Sequence, residues 1–442
     1  MSKVFGFIII TLYGLLIITP LVIAPIVMPS YEKIYTFETA KGLAMMSFMI
    51  LMLQPVLAGR FSWIERPFGQ DIVLRFHKYM AVFATVMLLF HPPGIATGHY
   101  GWSLLYSVDV DWPIWFGRSA LVVLLTSMLF SLGMITKRLT FERWRLVHDI
   151  INPLLLVLIF IHSFFMGNDL RARQMQILWY IMIAGAVSVF LYHRLIRPLL
   201  LRRHDYTVTE VIEEVDGVHT LKLAPGGNRP VFSYRPGQFH FITLHREKGL
   251  PEEEHHFTIS SSPTRRNHIS STIKALGDFT ATIGLTRKGD SATVHGPFGR
   301  FSYTFHPEDR DLVFIAGGIG ITPLMSMLRY MADTKDRIPV MLFYANKNED
   351  SIVFGKELEE IAAGPAANLT LVHILQNPGE NWPGETGHLD RDMIKKYCGA
   401  ELAGKTFYLC GPPGLVKAML STLLAMDINY KRIRTEIFSF ID

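Results

Sequence analysis

A chain of 442 residues is too long for one compact core, so two or three domains are expected. Half of it is hydrophobic, and unevenly so: residues 1–200 hold long uncharged runs, whereas 205–442 read as a mixed soluble protein. The formal charge of +5 comes from basic residues that flank apolar runs and do not gather on one soluble face, which argues for a membrane and against nucleic acid. Both cysteines, Cys398 and Cys410, fall in the soluble half, so no disulfide framework is implied.

A membrane-spanning helix needs about 20 apolar residues. Six segments approach that length: 4–28, 42–59, 79–98, 119–136, 150–168 and 174–192. The first is uncharged throughout and longer than a signal-peptide core, which runs to about 7–15 residues. Lys and Arg in the short loops set the orientation. Arg60, Arg66, Arg75 and Lys78 lie between spans two and three, and Lys137, Arg138, Arg143 and Arg145 between four and five. Arg194, Arg197, Arg202 and Arg203 follow span six, while the opposite loops carry Lys33, Lys41, Arg171 and Arg173 beside Asp109, Asp111 and Asp169. The N-terminus and everything after residue 200 are therefore expected on the cytosolic side.

Ionisable residues inside a span are costly and mark function. His77 and His91 belong to span three and the turn before it, and His148 and His162 to span five and the turn before it; each pair is 14 residues apart. That separation covers about 21 Å along a helix and returns to nearly the same face. Spans three and five run the same way, so the four histidines form two facing pairs, an inner level (His77, His148) and an outer level (His91, His162). Facing imidazoles make a bis-histidine haem site, and two levels make two haems b, suited to electron transfer. Zinc fits poorly, since each level offers two ligands and neither Cys nor carboxylate. Pro92 and Pro93 are expected to end or kink helix three beyond the outer level. Arg118, near the outer start of span four, suits a haem propionate, an anionic acceptor or lipid headgroups.

After Arg203 short alternating strands appear at Tyr206–Glu214, His219–Leu223 and Gln238–Leu244. The strand edge His255–Pro263 ends in hydroxyls, Ile273–Thr280 offers a glycine turn beside Lys274, and His295–Gly299 closes the pattern. From Asp311 the pattern becomes strand–loop–helix: Leu312–Ala316, the glycine turn Gly317–Pro323, then a helical stretch 324–333. Glycines after a strand let backbone N–H groups approach a phosphate at a helix N-terminus. Strands Val340–Tyr344 and Thr406–Leu409 follow, the second running into Cys410-Gly-Pro-Pro-Gly414. Alternating strands and helices predict a parallel sheet with its ligand at the strands' C-terminal ends.

In this order the motifs resemble the ferredoxin-reductase type FAD/NAD(P) module, and with the six spans the whole chain resembles the ferric reductase and NADPH oxidase superfamily in a compact bacterial-type form. The resemblance implies a multidomain membrane protein: a six-helix transmembrane bundle (1–200), an antiparallel β-barrel FAD domain (201–306) and an α/β parallel-sheet NAD(P) domain (307–442). It implies a bacterial plasma membrane. It places His255, Phe257, Thr258 and Ser260 at the flavin ring, and Lys274, Gly277, Asp278, Phe279 and Thr280 at the FAD phosphates. Gly317, Gly318, Gly320, Thr322 and Pro323 fall at the NAD(P) phosphate loop, and Cys410, Gly411 and Pro412 beside the nicotinamide. Phe438 matches the aromatic residue stacked on the flavin, with Phe440 as the alternative. Two departures stand out: His256 replaces the usual proline, and Lys347 stands where NADPH-selective members often carry arginine, leaving NADPH or NADH open as donor.

FAD accepts two electrons and passes them on singly, so it joins the two halves. The expected activity is transmembrane electron transfer from cytosolic NAD(P)H to an outer acceptor: O2, reduced to superoxide, or alternatively a ferric or cupric chelate. A third reading is electron donation to an extracytoplasmic protein, for which Tyr100, Trp102, Leu104, Leu105, Tyr106 and Trp112 offer an apolar cluster, although that cluster better suits an interfacial aromatic belt. The outer loops are short, with 168–174 expected to form almost no lid. Lipid and a small-molecule acceptor are the expected partners.

Overall fold

The computed structural model describes residues 2–27, 34–133, 141–201, 205–227, 229–365, 368–399 and 401–437. Lys33, Lys137, Arg138, Arg202, Arg203, Phe438 and Phe440 lie outside the described residues. The chain divides into two compact units, Met1–Pro198 and Leu199–Asp442.

In the first unit the apolar runs become α1 (Ser2–Val27), α2 (Tyr35–Ala58), α4 (Gln70–Ile95), α5 (Trp112–Ser131), α6 (Phe141–Met166) and α7 (Arg173–Leu191), with the short α3 (Ser62–Phe68) between α2 and α4. All six long helices are long and apolar enough to cross a membrane. Several extend past the expected apolar segments, so His77 sits inside α4 and His148 inside α6. Proline is tolerated at Pro55, Pro92, Pro93 and Pro153 because membrane helices re-satisfy the freed backbone groups locally. The pair at 92–93 does not end α4, which runs to Ile95 and continues as a wider π-turn over Ala96–Tyr100. A second π-turn, Tyr192–Ile196, carries α7 into α8 (Arg197–Leu201).

α2 is the innermost helix: half of its apolar window is buried, against 11% for α6. Phe48, Met49 and Met52 of α2 meet Ala84 of α4, Leu124 of α5, Leu155 of α6 and Trp179 of α7. Phe48 stacks on Trp179 at 4.4 Å, and the Trp179 indole N–H donates to Ser163 Oγ at 2.9 Å. The connection after α6 is tied down more firmly than its length suggests. Asp169 there is buried and pairs at 3.0 Å with Lys41, which also holds Glu38 at 2.8 Å. On the other side, Arg194 pairs with Asp149.

The second unit holds two sheets. β1 (Asp205–Val215), β2 (Val218–Pro225), β3 (Phe239–His245), β4 (Glu254–Thr258), β5 (Ile269–Lys274) and β6 (Ser291–Phe298) form an antiparallel sheet in the order β4-β3-β6-β1-β2-β5. Its ends curl toward each other just past β4, where Ser260 N donates to the Ser270 carbonyl at 2.8 Å. α9 (Asp278–Ala281) follows β5. β7 (Leu312–Gly317), β8 (Val340–Asn346), β9 (Leu369–Leu375), β10 (Glu385–Thr386), β11 (Thr406–Cys410) and β12 (Ile433–Glu436) form a parallel sheet in the order β10-β9-β8-β7-β11-β12. Helices α10 (Ile321–Thr334), α11 (Gly355–Ala363), α12 (Arg391–Cys398) and α13 (Pro413–Ala425) connect its strands. β7 is apolar at every position because both its faces are covered. Leu312, Phe314 and Ala316 enter one core, and Val313 and Ile315 the other.

Candidate functional site

His77 and His91 lie on α4, and His148 and His162 on α6. Ring centroids are 6.4 Å apart for His77–His148 and 6.2 Å for His91–His162. Two imidazoles sharing one metal at about 2.0–2.1 Å, each with about 1.1 Å from nitrogen to ring centre, place their centroids about 6.3 Å apart. Both levels match that separation. α4 packs chiefly on α2, and α6 chiefly on α5 and α7. No group of three or more His, Cys, Asp or Glu gathers at one point among the described residues, so a bare ion would lack ligands, whereas a haem brings its own equatorial nitrogens.

The outer level also shows how its rings are oriented. His91 Nδ1 is 3.1 Å from the Ala40 carbonyl, and His162 Nδ1 is 2.9 Å from the Pro113 carbonyl. A carbonyl accepts only, so Nδ1 carries the proton and Nε2 keeps its lone pair for a metal. Gly117 makes room for this: a Cβ there would lie 2.5 Å from His162 Nδ1. Its neighbour Arg118 donates from Nη2 to the Leu104 carbonyl at 2.5 Å and lies 4.9 Å from the Trp115 ring, while its buried Nε has no hydrogen-bond partner among the described residues. At the inner level His148 lies 5.2 Å from the Trp144 ring, and Asn152 Nδ2 donates to the His148 carbonyl at 2.7 Å.

In the second unit β4 and α9 bring one group of the motif residues together. His255 stacks on Phe279 at 4.1 Å, with Phe257 near-parallel to Phe279 at 6.3 Å. Arg246 lies 5.2 Å from the same Phe279 ring and was not singled out in the sequence, because it sits outside every motif. His256 lies 5.9 Å from both Phe239 and Phe241. Thr258 and Ser260 are buried, and the Ser260 hydroxyl is already engaged by the Ser270 carbonyl (3.2 Å) and Thr272 Oγ1 (3.0 Å). Lys274 ends β5 exposed. In the following turn, Thr280 Oγ1 accepts from the N–H groups of Leu276 and Gly277, both at 2.9 Å, and Asp278 caps Phe279 N. His240, fully buried in the barrel, holds Ser271 Oγ at 2.6 Å, and burial pushes its pKa down to about 3.

The parallel sheet presents a second group at its C-terminal edge. β7 runs through Gly317 into the turn Gly318–Gly320 and then α10, whose N-terminus has no side-chain cap. Uncapped N–H groups at such an end suit an anion. Two of these glycines are steric requirements. A Cβ on Gly320 would run into the Cys410 carbonyl, and one on Gly317 would lie 2.9 Å from the Pro412 ring. The loop therefore lies directly against Cys410, Gly411 and Pro412 at the end of β11. Thr322 Oγ1 bonds the Ile319 carbonyl at 3.1 Å, and Pro323 is buried in the first turn of α10. Burial, then the Glu436 carboxylate, pushes the Cys410 thiol well above its usual range, so it stays neutral. Cys410 pairs in register with Glu436 of β12. Lys347 follows β8 and is exposed.

Known families and proteins match each part. A family described as ferric reductase like transmembrane component matches residues 43–159, and one described as oxidoreductase NAD-binding domain matches 314–420. The first covers His77, His91 and His148 and stops short of His162. The chain is 32% identical over 242 residues to the glycine betaine monooxygenase reductase subunit of Chromohalobacter salexigens, covering 53% of this chain and 64% of that protein. It is 35% identical over 144 residues to NADH–cytochrome b5 reductase 1 of Arabidopsis thaliana, covering 32% of this chain and 51% of that one. It thus spans under two thirds of these relatives' length. The FAD/NAD-binding domain of nitric oxide dioxygenase from Vibrio cholerae is similar at a TM-score of 0.47 and 22% identity, over 53% of this chain and 98% of that one.

Proposed function

We propose that the chain is a member of the ferric reductase and NADPH oxidase superfamily, a reading that the two matched families support, and that it carries electrons from cytosolic NAD(P)H, through FAD and two haems b, to an acceptor on the outer face. The observation that carries this reading is the pair of histidine levels, each with two rings at the separation that a shared metal would require, in one chain with a reductase module. When bound, FAD supplies the conversion of a hydride into single electrons, and haem supplies their one-at-a-time passage.

The chain's own residues bind, orient and shield these groups. His77 and His148 would hold the inner haem, and His91 and His162 the outer one, with the Ala40 and Pro113 carbonyls fixing the outer rings. His255, Phe257, Thr258, Lys274, Gly277, Asp278, Phe279 and Thr280 would seat FAD, and Phe438 would cover its ring. Ser260 would support that strand from behind. Gly317, Gly318, Gly320, Thr322 and Pro323 would take the pyrophosphate, and Gly411 and Pro412 would bring the neutral Cys410 beside the nicotinamide. Lys347 would meet a 2′-phosphate, which favours NADPH, whereas the cytochrome b5 reductase relative is named for NADH. The domains would then be 1–200, 201–306 and 307–442. In a bacterial plasma membrane with the reductase module cytosolic, outward passage of each electron is favoured by about 2.3 kcal/mol per 100 mV.

O2 is the proposed acceptor. A ferric chelate is the second reading, supported by the ferric-reductase description over residues 43–159. The test follows NADPH consumption and cytochrome c reduction in air, with detergent-solubilised protein and FAD, with and without superoxide dismutase. Loss of most of the cytochrome signal with dismutase supports O2. Consumption only when a ferric chelate is supplied overturns it in favour of the metal.

A further inference from the structure

α10 begins at the candidate dinucleotide loop and, further along, grips the segment that leaves the candidate flavin strand. Ser326 Oγ donates to the Ser261 carbonyl at 2.7 Å, and Arg329 Nη1 donates to the Ser260 carbonyl at 2.8 Å. Both carbonyls lie just beyond Thr258, the last residue of β4. Arg329 is fixed from its other side as well. Its Nε and Nη2 take the Glu357 carboxylate of α11 at 2.8 and 2.6 Å, and its guanidinium lies 4.6 Å from the Phe354 ring. Ser260 and Ser326 are fully buried. A rigid fork that addresses two elements at once is a good choice for fixing their spacing.

We propose that Arg329 and Ser326 are positioning residues for hydride transfer, locking the flavin strand to the helix that starts at the dinucleotide loop and so setting the flavin–nicotinamide distance. This rests on the FAD and NAD(P)H assignments above. In that step a dihydronicotinamide C–H bond breaks, its hydrogen and electron pair pass to the flavin, and the nicotinamide is oxidised as the flavin is reduced; neither residue gains or loses a proton. Reacting atoms must approach to about 3–3.5 Å, and a misplacement of about 1 Å costs on the order of a hundredfold in rate.

The test uses the full-length protein with FAD, anaerobically, in stopped flow. Arg329→Gln is expected to lower the first-order rate constant of flavin reduction about ten- to a hundredfold. FAD content and NADP+ affinity should stay within about twofold, and the flavin–nicotinamide charge-transfer absorbance should weaken in step with the rate. Arg329→Lys keeps the charge without the fork and stays slow. Ser326→Ala removes one bond and no charge, and is expected to slow reduction severalfold; it decides the question if Arg329→Gln does not fold. Unchanged rate constants in FAD-replete variants would overturn the proposal, as would a rate loss merely proportional to lost FAD. Absence of FAD binding or of flavin reduction in the unsubstituted protein would instead strike the cofactor assignment itself.

Discussion

On the proposed reading the bundle and the reductase module each seat a cofactor, but with opposite materials. In the bundle the candidate ligands are side chains out of keeping with their surroundings: four histidines in apolar helices, at two levels with nearly equal separations of 6.4 and 6.2 Å. In the module the candidate nucleotide site is mostly backbone, a glycine turn pressed against the end of β11 so closely that Gly320 has no room for a Cβ. Where water and hydrogen-bonding partners are scarce, a polar residue declares itself. Where they are plentiful, shape carries the specificity, and shape is made by the fold.

The contrast can be broken most decisively at the outer histidines. His91→Ala or His162→Ala is expected to lower the haem-to-protein ratio to about half and reduce external acceptor reduction at least a hundredfold, while NAD(P)H still reduces the flavin. Haem content read from absorbance, beside anaerobic flavin bleaching, checks this, and two haems retained in either variant would defeat the ligand assignment. A smaller effect is expected where backbone shape governs. Gly320→Ala forces the loop off the Cys410 carbonyl, at about 1–3 kcal/mol of overpacking. Weaker NADP+ binding with FAD content preserved is the expected result, and unchanged affinity would show that the close approach is dispensable.

The smallest effect concerns a buried group beside the candidate flavin strand, His240, which pairs in register with Phe257. His240 titrates near 3 when folded, so below its ordinary value of 6.5 the unfolded chain binds a proton that the folded chain does not. Its contribution is therefore present above pH 6.5 and is lost as pH falls toward 3, by about 1.4 kcal/mol per unit. Between pH 7 and 5 that is about 2 kcal/mol, which His240→Gln should remove from the pH dependence of urea-induced flavin release. An equal slope in both proteins would mean that His240 is protonated in place.

The six spans and both sheets were legible because each has a period or a length that chemistry imposes. Apolar runs must cover the lipid layer, and the unbroken Leu312–Ala316 run must be covered on both faces. The strands read at 206–214, 219–223, 238–244, 312–316, 340–344 and 406–409 lie within two residues of their expected bounds, whereas the strand edge expected over His255–Pro263 stops at Thr258, and β5, β6, β9, β10 and β12 carried no strand signal of their own. Helix ends were less legible. Pro92 and Pro93 read as an end or a kink, yet α4 does not end there and runs on to Ile95 and into the π-turn at Ala96–Tyr100. The anchoring of the short connection at 168–174 was not legible, because the Lys41–Asp169 pair that secures it joins partners far apart in sequence.

Local order along the chain thus determined the class of the molecule: a membrane bundle with two ranks of histidines, followed by a reductase module whose motifs occur in a recognisable order. Only the tertiary structure decided which groups meet. It set His91 on the Ala40 carbonyl and His162 on that of Pro113, pressed Gly320 against Cys410, and closed Arg329 on the Ser260 carbonyl. The physical reason is one of range. Period and composition report how a segment partitions between water, lipid and core, whereas a hydrogen bond or a steric limit at 3 Å depends on two segments whose separation in sequence carries no trace of their meeting.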